Sequence, residues 1–211
     1  MTPEDALDRG LEALELALPD GGRSKLLGYV ALLLKWNRTY NLTAIRDPRE
    51  VITHHLLDCL AASPHLRLSA ASSLADVGSG GGLPGIPLAI ARPDVRVTLN
   101  DSNDKKCAFL RQAVIELELP NVNVHQGRAE HWTPHNRYST AISRAFSSLA
   151  DFIAACRHLV LPGGVLASMK GVFPAAELRQ AGKLCLCDTV IALKVPYLDA
   201  ERHLVLCTVA P

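Results

Sequence analysis

The stretch LADVGSGGGLPGIPLAI, residues 74–90, decides the fold. A short apolar run, SLADV, leads straight into glycines at alternate positions, Gly78, Gly80 and Gly82, and then into an apolar segment. A glycine-rich turn between the first strand and first helix of a parallel sheet presents free N–H groups, and its missing Cβ atoms let a ligand lie against the backbone. The dinucleotide spacing G-x-G-x-x-G would require glycine at position 83, which is Leu83. The chain reads D-x-G-x-G-x-G from Asp76 to Gly82, and an acid just before the glycines suits a ligand with an amino group better than a pyrophosphate. Asp101 closes the next strand candidate, 23 residues after Gly78, where a carboxylate can hold a ribose diol, and Ser102 stands beside it. Together these features favour S-adenosylmethionine over NAD. The bland alternative is a tight turn with Asp101 as a helix cap.

Working outward, short β-type runs alternate with helical segments from Leu74 onward. SLADV, VRVTLN, NVNVHQ, STAIS and GVLASMK are strand candidates, and DKKCAFLRQAVIELEL places Cys107, Leu110, Val114 and Leu117 on one helical face. Such alternation predicts an α/β fold with a mostly parallel sheet covered on both faces. CDTVIALKV and RHLVLCTVA, joined by PYLDAE, predict a closing hairpin, seven strands in all, with the last one antiparallel. From Glu4 to about Leu66 the pattern is helical instead, with Leu7, Leu11, Leu14 and Leu18 at three- and four-residue steps and RSKLLGYVALLLKWNRTYN continuing it. A third helix is expected after Asp47, a cap followed by Pro48 and, at capping-box spacing, Glu50. The chain therefore divides into a helical N-terminal extension, 1–68, belonging to the same globule, and a Rossmann-like α/β domain, 69–211, that carries the glycine loop.

A length of 211 residues with 48% apolar content suits one globular unit, and no apolar run approaches bilayer length. MTPEDALDRG carries acids where a secretory signal would be basic, so a cytoplasmic protein with no membrane partner is expected. The six cysteines, Cys59, Cys107, Cys156, Cys185, Cys187 and Cys207, lack paired zinc spacing or disulfide-scaffold density and read as reduced core residues. A formal net charge of +1 argues against wholesale polyanion binding and leaves room for a local basic face.

Beyond the glycine loop, the segments KWNRTYNLTAIRDP, HHLLDC, LNDSNDKKCAFL, ISRAFSSL, MKG and ERHLVL occur in an order and spacing that resemble the RsmG (GidB) family of bacterial ribosomal RNA small-subunit methyltransferases. The resemblance runs nearly end to end; KWNRTYNLT and SRAF are its specific parts. Cys59 stands where that family usually has serine, and Asn100 precedes Asp101 where an apolar residue is commoner. The resemblance implies that the Rossmann-like domain, 69–211, is a class I methyltransferase domain that binds S-adenosylmethionine, and that it transfers a methyl group from S-adenosyl-L-methionine, leaving S-adenosyl-L-homocysteine, to N7 of a guanosine in the 530 loop of 16S rRNA. The RNA is expected within the 30S subunit or an assembly intermediate, with no stable protein partner. The resemblance also implies cofactor contacts at Gly78, Leu83, Ala129, Glu130 and Arg144. For Glu130 the bland alternative is a helix-start acid. For Arg144, embedded among apolar residues at a strand end, a partner is needed: the cofactor carboxylate, an RNA phosphate, Asp76 or Asp58.

Guanine N7 has a free lone pair and no proton to lose, so no general base or covalent nucleophile is expected, and Arg144 and Lys170 are assigned to positioning. His54 with Asp58 and His55 with Cys59 have metal-ligand spacing on a helix, but further ligands are missing nearby. No metal is expected, and His54 and Asp58 are assigned to organising the pocket. Arg38, Arg46 and Arg49, with Asn41, surround a helix connection and suit phosphate contacts. Lys170 ends the fifth strand and Arg202 and His203 open the last. An antiparallel last strand begins where its parallel neighbours end, so all three should gather on the rim of Gly78, Asp101 and Arg144 as further RNA contacts. Rival readings are methylation of another RNA or a small molecule, a nucleotide-cofactor oxidoreductase, and a noncatalytic S-adenosylmethionine- or RNA-binding protein.

Overall fold

The computed structural model describes residues 1–144, 146, 148–181 and 185–210; Ala145 and Ser147 of the ISRAFSSL segment lie outside them. Seven strands form one sheet in the order β3-β2-β1-β4-β5-β7-β6. They are β1 (Ser73–Val77), β2 (Arg96–Asp101), β3 (Val122–Gln126), β4 (Tyr138–Ser143), β5 (Val160–Lys170), β6 (Leu186–Ala192) and β7 (His203–Thr208). Strands β1 to β5 pair in parallel, and β7 runs antiparallel to both β5 and β6. The mostly parallel sheet with one antiparallel strand agrees with the sequence expectation. The hairpin does not simply add its strands in order: β7 inserts between β5 and β6, which leaves β6 at the edge.

Chain order along the sheet reverses between β1 and β4, which are neighbours. At such a switch point the connections leave on opposite sides and open a crevice beyond the carboxyl ends of the strands. The glycine stretch follows β1 and Arg144 follows β4, so both segments are delivered to that crevice.

Before the sheet, α1 (Pro3–Ala13) is opened by a reciprocal Thr2–Asp5 capping box, and α2 (Gly22–Tyr40) buries Leu26, Tyr29, Val30, Leu32 and Leu33. The leucine periodicity overreaches here. It extends to Leu18, but α1 stops at Ala13, and Glu15 turns to φ +53° ahead of Pro19. Asp47 caps α3 (Pro48–Val51) through the amides of Arg49 and Glu50, as its spacing predicts. The chain then passes through a π-helical stretch, Ile52–Leu57, into α4 (Asp58–Ala62). That stretch widens the turn, so the α-helical ligand spacing assumed for HHLLDC does not apply.

Helices α5 (Gly85–Ala91) and α6 (Asp104–Glu116) lie against α2, and α7 (Leu149–Cys156) and α8 (Ala175–Ala181) pack together elsewhere. One buried cluster runs from Leu7, Leu33 and Leu57 in the helical segment to Leu74, Ile86, Leu99 and Phe109 in the sheet and its helices. A second gathers Ala75, Val77, Phe152 and Leu166 on the side of α7. One cysteine pair departs from the reduced reading: Cys187 and Cys207, neighbours across β6 and β7 with Cα atoms 4.0 Å apart, form a disulfide. Cys59, Cys107 and Cys156 are buried free thiols, and Cys185 is half-buried and free.

Candidate active site

The glycine loop holds three left-handed residues, Gly78 at φ +72°, Gly80 at +58° and Gly82 at +90°. A β-carbon at Gly80 would meet nothing closer than a backbone oxygen at 3.9 Å, whereas one at Gly82 would strike Ile86 at 2.4 Å. Gly80 therefore keeps space open on the crevice side, and Gly82 permits packing behind it. The loop is fixed from three sides. The amides of Gly78 and Ser79 donate to the Asn100 carbonyl at 2.9 Å, the Gly80 amide donates to Asp101 Oδ2 at 3.0 Å, and the buried Tyr29 hydroxyl donates to the Gly81 carbonyl at 2.6 Å. Asp101 Oδ1 accepts from the Asn103 amide at 2.9 Å, which leaves each carboxylate oxygen a further lone pair.

Asp76 lies elsewhere. It is fully buried, it accepts the Gly85 amide at 2.8 Å through Oδ2, and its Oδ1 has no hydrogen-bond partner among the described residues. Burial pushes its carboxyl up to about 7. The acid ahead of the glycines thus caps α5 from within, and it does not line the cavities on either side of the loop.

Two cavities meet at Gly78. One, of about 250 Å³, is bounded by Asp101, Ser102, Ala129, Glu130, Lys106 and Phe146. The other, of about 240 Å³, is bounded by Gly80, Leu83, Thr43, His55 and Arg144. A left-handed loop with an open Cβ direction, an acid at the end of β2 and a turn after β3 suit an adenosyl group carrying an amino-acid tail. The residues present fit S-adenosylmethionine. Asn100 supports this wall from below: its buried side chain donates to the carbonyls of Gly127 at 2.9 Å and His125 at 3.3 Å, tying β2 to the turn that carries Ala129 and Glu130. The unusual residue before Asp101 therefore positions the loop, a role its place in the sequence did not reveal.

A third cavity, of about 370 Å³, shares His55 and Arg144 with the second and is lined also by His54, Asp58, Lys170, Arg202 and His203. Lys170 pairs with His203 across β5 and β7, so the strand ends do gather on one rim, as the topology predicts. Their charges are already engaged. Asp58 Oδ2 lies 3.2 Å from Arg144 Nη1, and Asp58 Oδ1 lies 3.1 Å from Arg202 Nε. Of the two carboxylates open to Arg144 in sequence, Asp58 is the one it meets. Burial raises the Asp58 carboxyl while the two guanidinium groups pull it back. Lys170 Nζ meets Glu177 Oε2 at 2.8 Å, a partner not foreseen. His55, pushed down to about 4 by burial and then by Arg144, is neutral and shares a 2.7 Å hydrogen bond with the Thr43 hydroxyl. His54 bonds the Thr53 hydroxyl at 2.8 Å, and the buried His203 leaves Nδ1 without a hydrogen-bond partner among the described residues. Among the described residues no group of His, Cys, Asp or Glu could hold a metal ion.

Arg38, Asn41, Arg46 and Arg49 are exposed on the α2–α3 connection, and Arg49 faces Asp47 at 3.5 Å. The buried Asn37 shapes that connection by accepting the Thr43 amide at 2.9 Å. No helix among the described residues is long and apolar enough to cross a membrane.

The family model described as rRNA small subunit methyltransferase G matches residues 23–205. A ribosomal RNA small subunit methyltransferase G of Burkholderia ambifaria is 50% identical over 206 residues, covering 96% of this chain and 90% of the relative. The chain also resembles the solved structure of a SAM-dependent methyltransferase from Aquifex aeolicus, with TM-score 0.59 and 19% identity over 78% of this chain and 94% of that one. A SAM-dependent methyltransferase from Thiobacillus denitrificans, solved with S-adenosyl-L-homocysteine, aligns with TM-score 0.53 and 15% identity over 74% of this chain and 91% of that one. The fold is that of class I methyltransferases.

Proposed function

Because the chain belongs to the rRNA small subunit methyltransferase G family, we propose that it transfers the methyl group of S-adenosylmethionine to guanine N7 in the 530 loop of 16S rRNA. The observation that carries this reading is the shared wall: His55 and Arg144 line both the glycine-loop cavity and the cationic cavity of Lys170 and Arg202. A methyl donor on one side of that wall and an anionic substrate on the other would meet where β1 and β4 part.

The cofactor supplies an electrophilic sulfonium methyl group. Asp101 and Ser102 hold its ribose side, the loop from Gly78 to Gly80 lies along its tail, Leu83 closes one wall, and Ala129 and Glu130 meet its adenine edge. Asp76 acts through the loop, since its carboxylate fixes the start of α5. The purine nitrogen attacks with its own lone pair, so the site needs alignment and no base. Neutral His55 fits that demand. Arg144 and Lys170 position the RNA, and Arg202 and His203 extend that surface. Asp58 holds Arg144 and Arg202 with their guanidinium groups fixed, and His54 lines the same cavity. Arg38, Asn41, Arg46 and Arg49 contact the backbone further out. The substrate is 16S rRNA in the 30S subunit or an assembly intermediate, and the protein works in the cytoplasm without metal.

The test is methyl transfer from labelled S-adenosylmethionine to unmethylated 16S rRNA, naked and in 30S subunits, followed by mapping of the modified base. Label at N7 of one guanosine in the 530 loop is the expected result. Label at another base, or none on either RNA form, overturns the reading.

A further inference from the structure

On the sheet face turned toward α7, the strands β2 and β3 carry polar side chains, Arg96, Thr98 and Asn123 among them, and a cleft of about 410 Å³ opens there. Its far wall is the loop that runs from Trp132 to Tyr138. The cleft is built from cations and rings. Arg96, His135 and Arg137 are exposed along it, no described lining residue is acidic, and neither Arg96 nor Arg137 makes an ion pair with a described carboxylate. The His125 ring stacks on Trp132 with centroids 4.4 Å apart and planes within 10°, and Tyr138 leans on Trp132 at 5.3 Å. Unopposed guanidinium groups beside a planar stack are what a nucleotide needs: a phosphate for the arginines and a base for the ring face.

Only one end of the cleft approaches the proposed cofactor cavity. His125 lines this cleft, and a β-carbon at Gly127, which borders the cavity of Asp101 and Glu130, would lie 3.3 Å from His125 Nε2. Arg96 and Arg137 stand at the amino ends of β2 and β4 and His125 near the carboxyl end of β3, so the cleft runs up this face of the sheet and ends beside the His125–Gly127 segment, on whose other side lies the proposed cofactor cavity.

We propose that this cleft is a second RNA contact, separate from the cationic rim, which takes an unpaired nucleotide of the substrate rRNA with its base against His125 and its phosphate between Arg96 and Arg137. It rests on the RNA-methylating reading above. An acidic peptide would satisfy the arginines but leave the His125 ring and the Asn123 amide without a purpose, whereas a nucleobase uses both; the Thr98 hydroxyl already accepts from the Tyr138 hydroxyl at 3.0 Å.

The experiment compares the full-length protein with an Arg96→Ala/Arg137→Ala variant, whose residues are exposed and can be replaced without opening the core. RNA binding is read directly against salt concentration, and methyl transfer is read separately. Two lost contacts to single-stranded RNA should flatten the log–log salt slope by about 1.4. KM for RNA should rise about tenfold, with kcat and S-adenosylmethionine affinity unchanged. His125→Ala should weaken RNA binding and His125→Phe should restore it, because only a ring can stack. A double variant with unaltered salt slope and KM overturns the proposal. So does a cleft that binds adenosine monophosphate through the two arginines while RNA behaviour stays the same, since it would then serve a free nucleotide. A wild-type chain that binds rRNA but transfers no methyl group overturns the functional reading, and the salt slope still decides the cleft.

Discussion

Asp101 shows how one side chain serves both fold and site. Its oxygens accept the amides of Gly80 and Asn103 at 3.0 and 2.9 Å, so the carboxylate that should hold the ribose also holds the glycine loop. Asp101→Ala should weaken S-adenosylmethionine binding about ten- to a hundredfold, since a hydrogen bond to a charged group is worth roughly 1.5–3 kcal/mol. Calorimetry that finds wild-type affinity in a folded variant would remove Asp101 from the site. Asp76 behaves differently because burial sets its state. Its folded value of about 7 lies above the unfolded 3.8, so the protonated form is favoured by folding. The stability it contributes is complete below about pH 4 and is lost as pH rises through 7, a span worth on the order of 4 kcal/mol. Asp76→Asn cannot ionise. Urea midpoints of the cofactor-free protein should therefore fall less between pH 5 and pH 8 in the variant than in the wild type, and parallel curves would show that Asp76 is not the titrating group. The sequence placed this acid correctly beside the loop but could not tell that its side chain points inward, under Gly85.

Strand and helix limits were legible wherever short-range rules apply. SLADV is β1 to the residue, because an apolar run ended by glycine has no other reading, and Asp47-Pro48 starts α3 because cap and proline act locally. Leu14 and Leu18 misled, since the leucine periodicity persists past Ala13, where α1 has ended and the chain turns left-handed at Glu15. The π-helical turn at Ile52–Leu57 leaves no pattern in a single chain. Nor could composition pair Cys187 with Cys207, which become neighbours only through the β6–β7 register. The α2–α3 connection carries its own test. Replacing Arg38, Arg46 and Arg49 together with alanine should reduce RNA affinity and flatten the salt slope by about 1.4 to 2, two full contacts at about 0.7 each with Arg49 counting in part because it already faces Asp47. An unchanged slope would place the RNA elsewhere. At the ends of β5 and β7, Lys170→Ala and Arg202→Ala should each lower methyl transfer to RNA about tenfold with cofactor affinity intact. Loss of cofactor affinity, seen by calorimetry, would instead mean that Glu177 and Asp58 need these cations to keep the crevice shaped.

The sheet turns sequence distance into proximity: Asp58, Arg144 and Arg202 come from the helical segment, the end of β4 and the start of β7, and meet within 3.2 Å. No local rule links them, although topology predicted that the last two share a rim. The same closure decides whether residues 1–68 can be separated from 69–211. Leu7, Leu26, Leu33, Leu56 and Leu57 belong to the buried cluster that contains Leu74, Ile86, Leu99 and Phe109, so the boundary cuts through one core. It also cuts the site, because the Tyr29 hydroxyl that fixes Gly81 and the Asp58 carboxylate between two arginines lie on the helical side. Removal of 1–68 would uncover the faces of α5 and α6 that α2 covers, and would leave Arg144 and Arg202 without their shared anion. Exposed apolar surface costs about 25 cal/mol for each Å², and several fully buried leucines exceed what a marginally stable domain can lose. The 69–211 fragment should therefore bind a hydrophobic dye, unfold without a cooperative transition and fail to bind S-adenosylmethionine. A fragment that melts cooperatively and binds the cofactor would make the helical segment a separable module, and Tyr29 and Asp58 would then have no part in shaping the crevice.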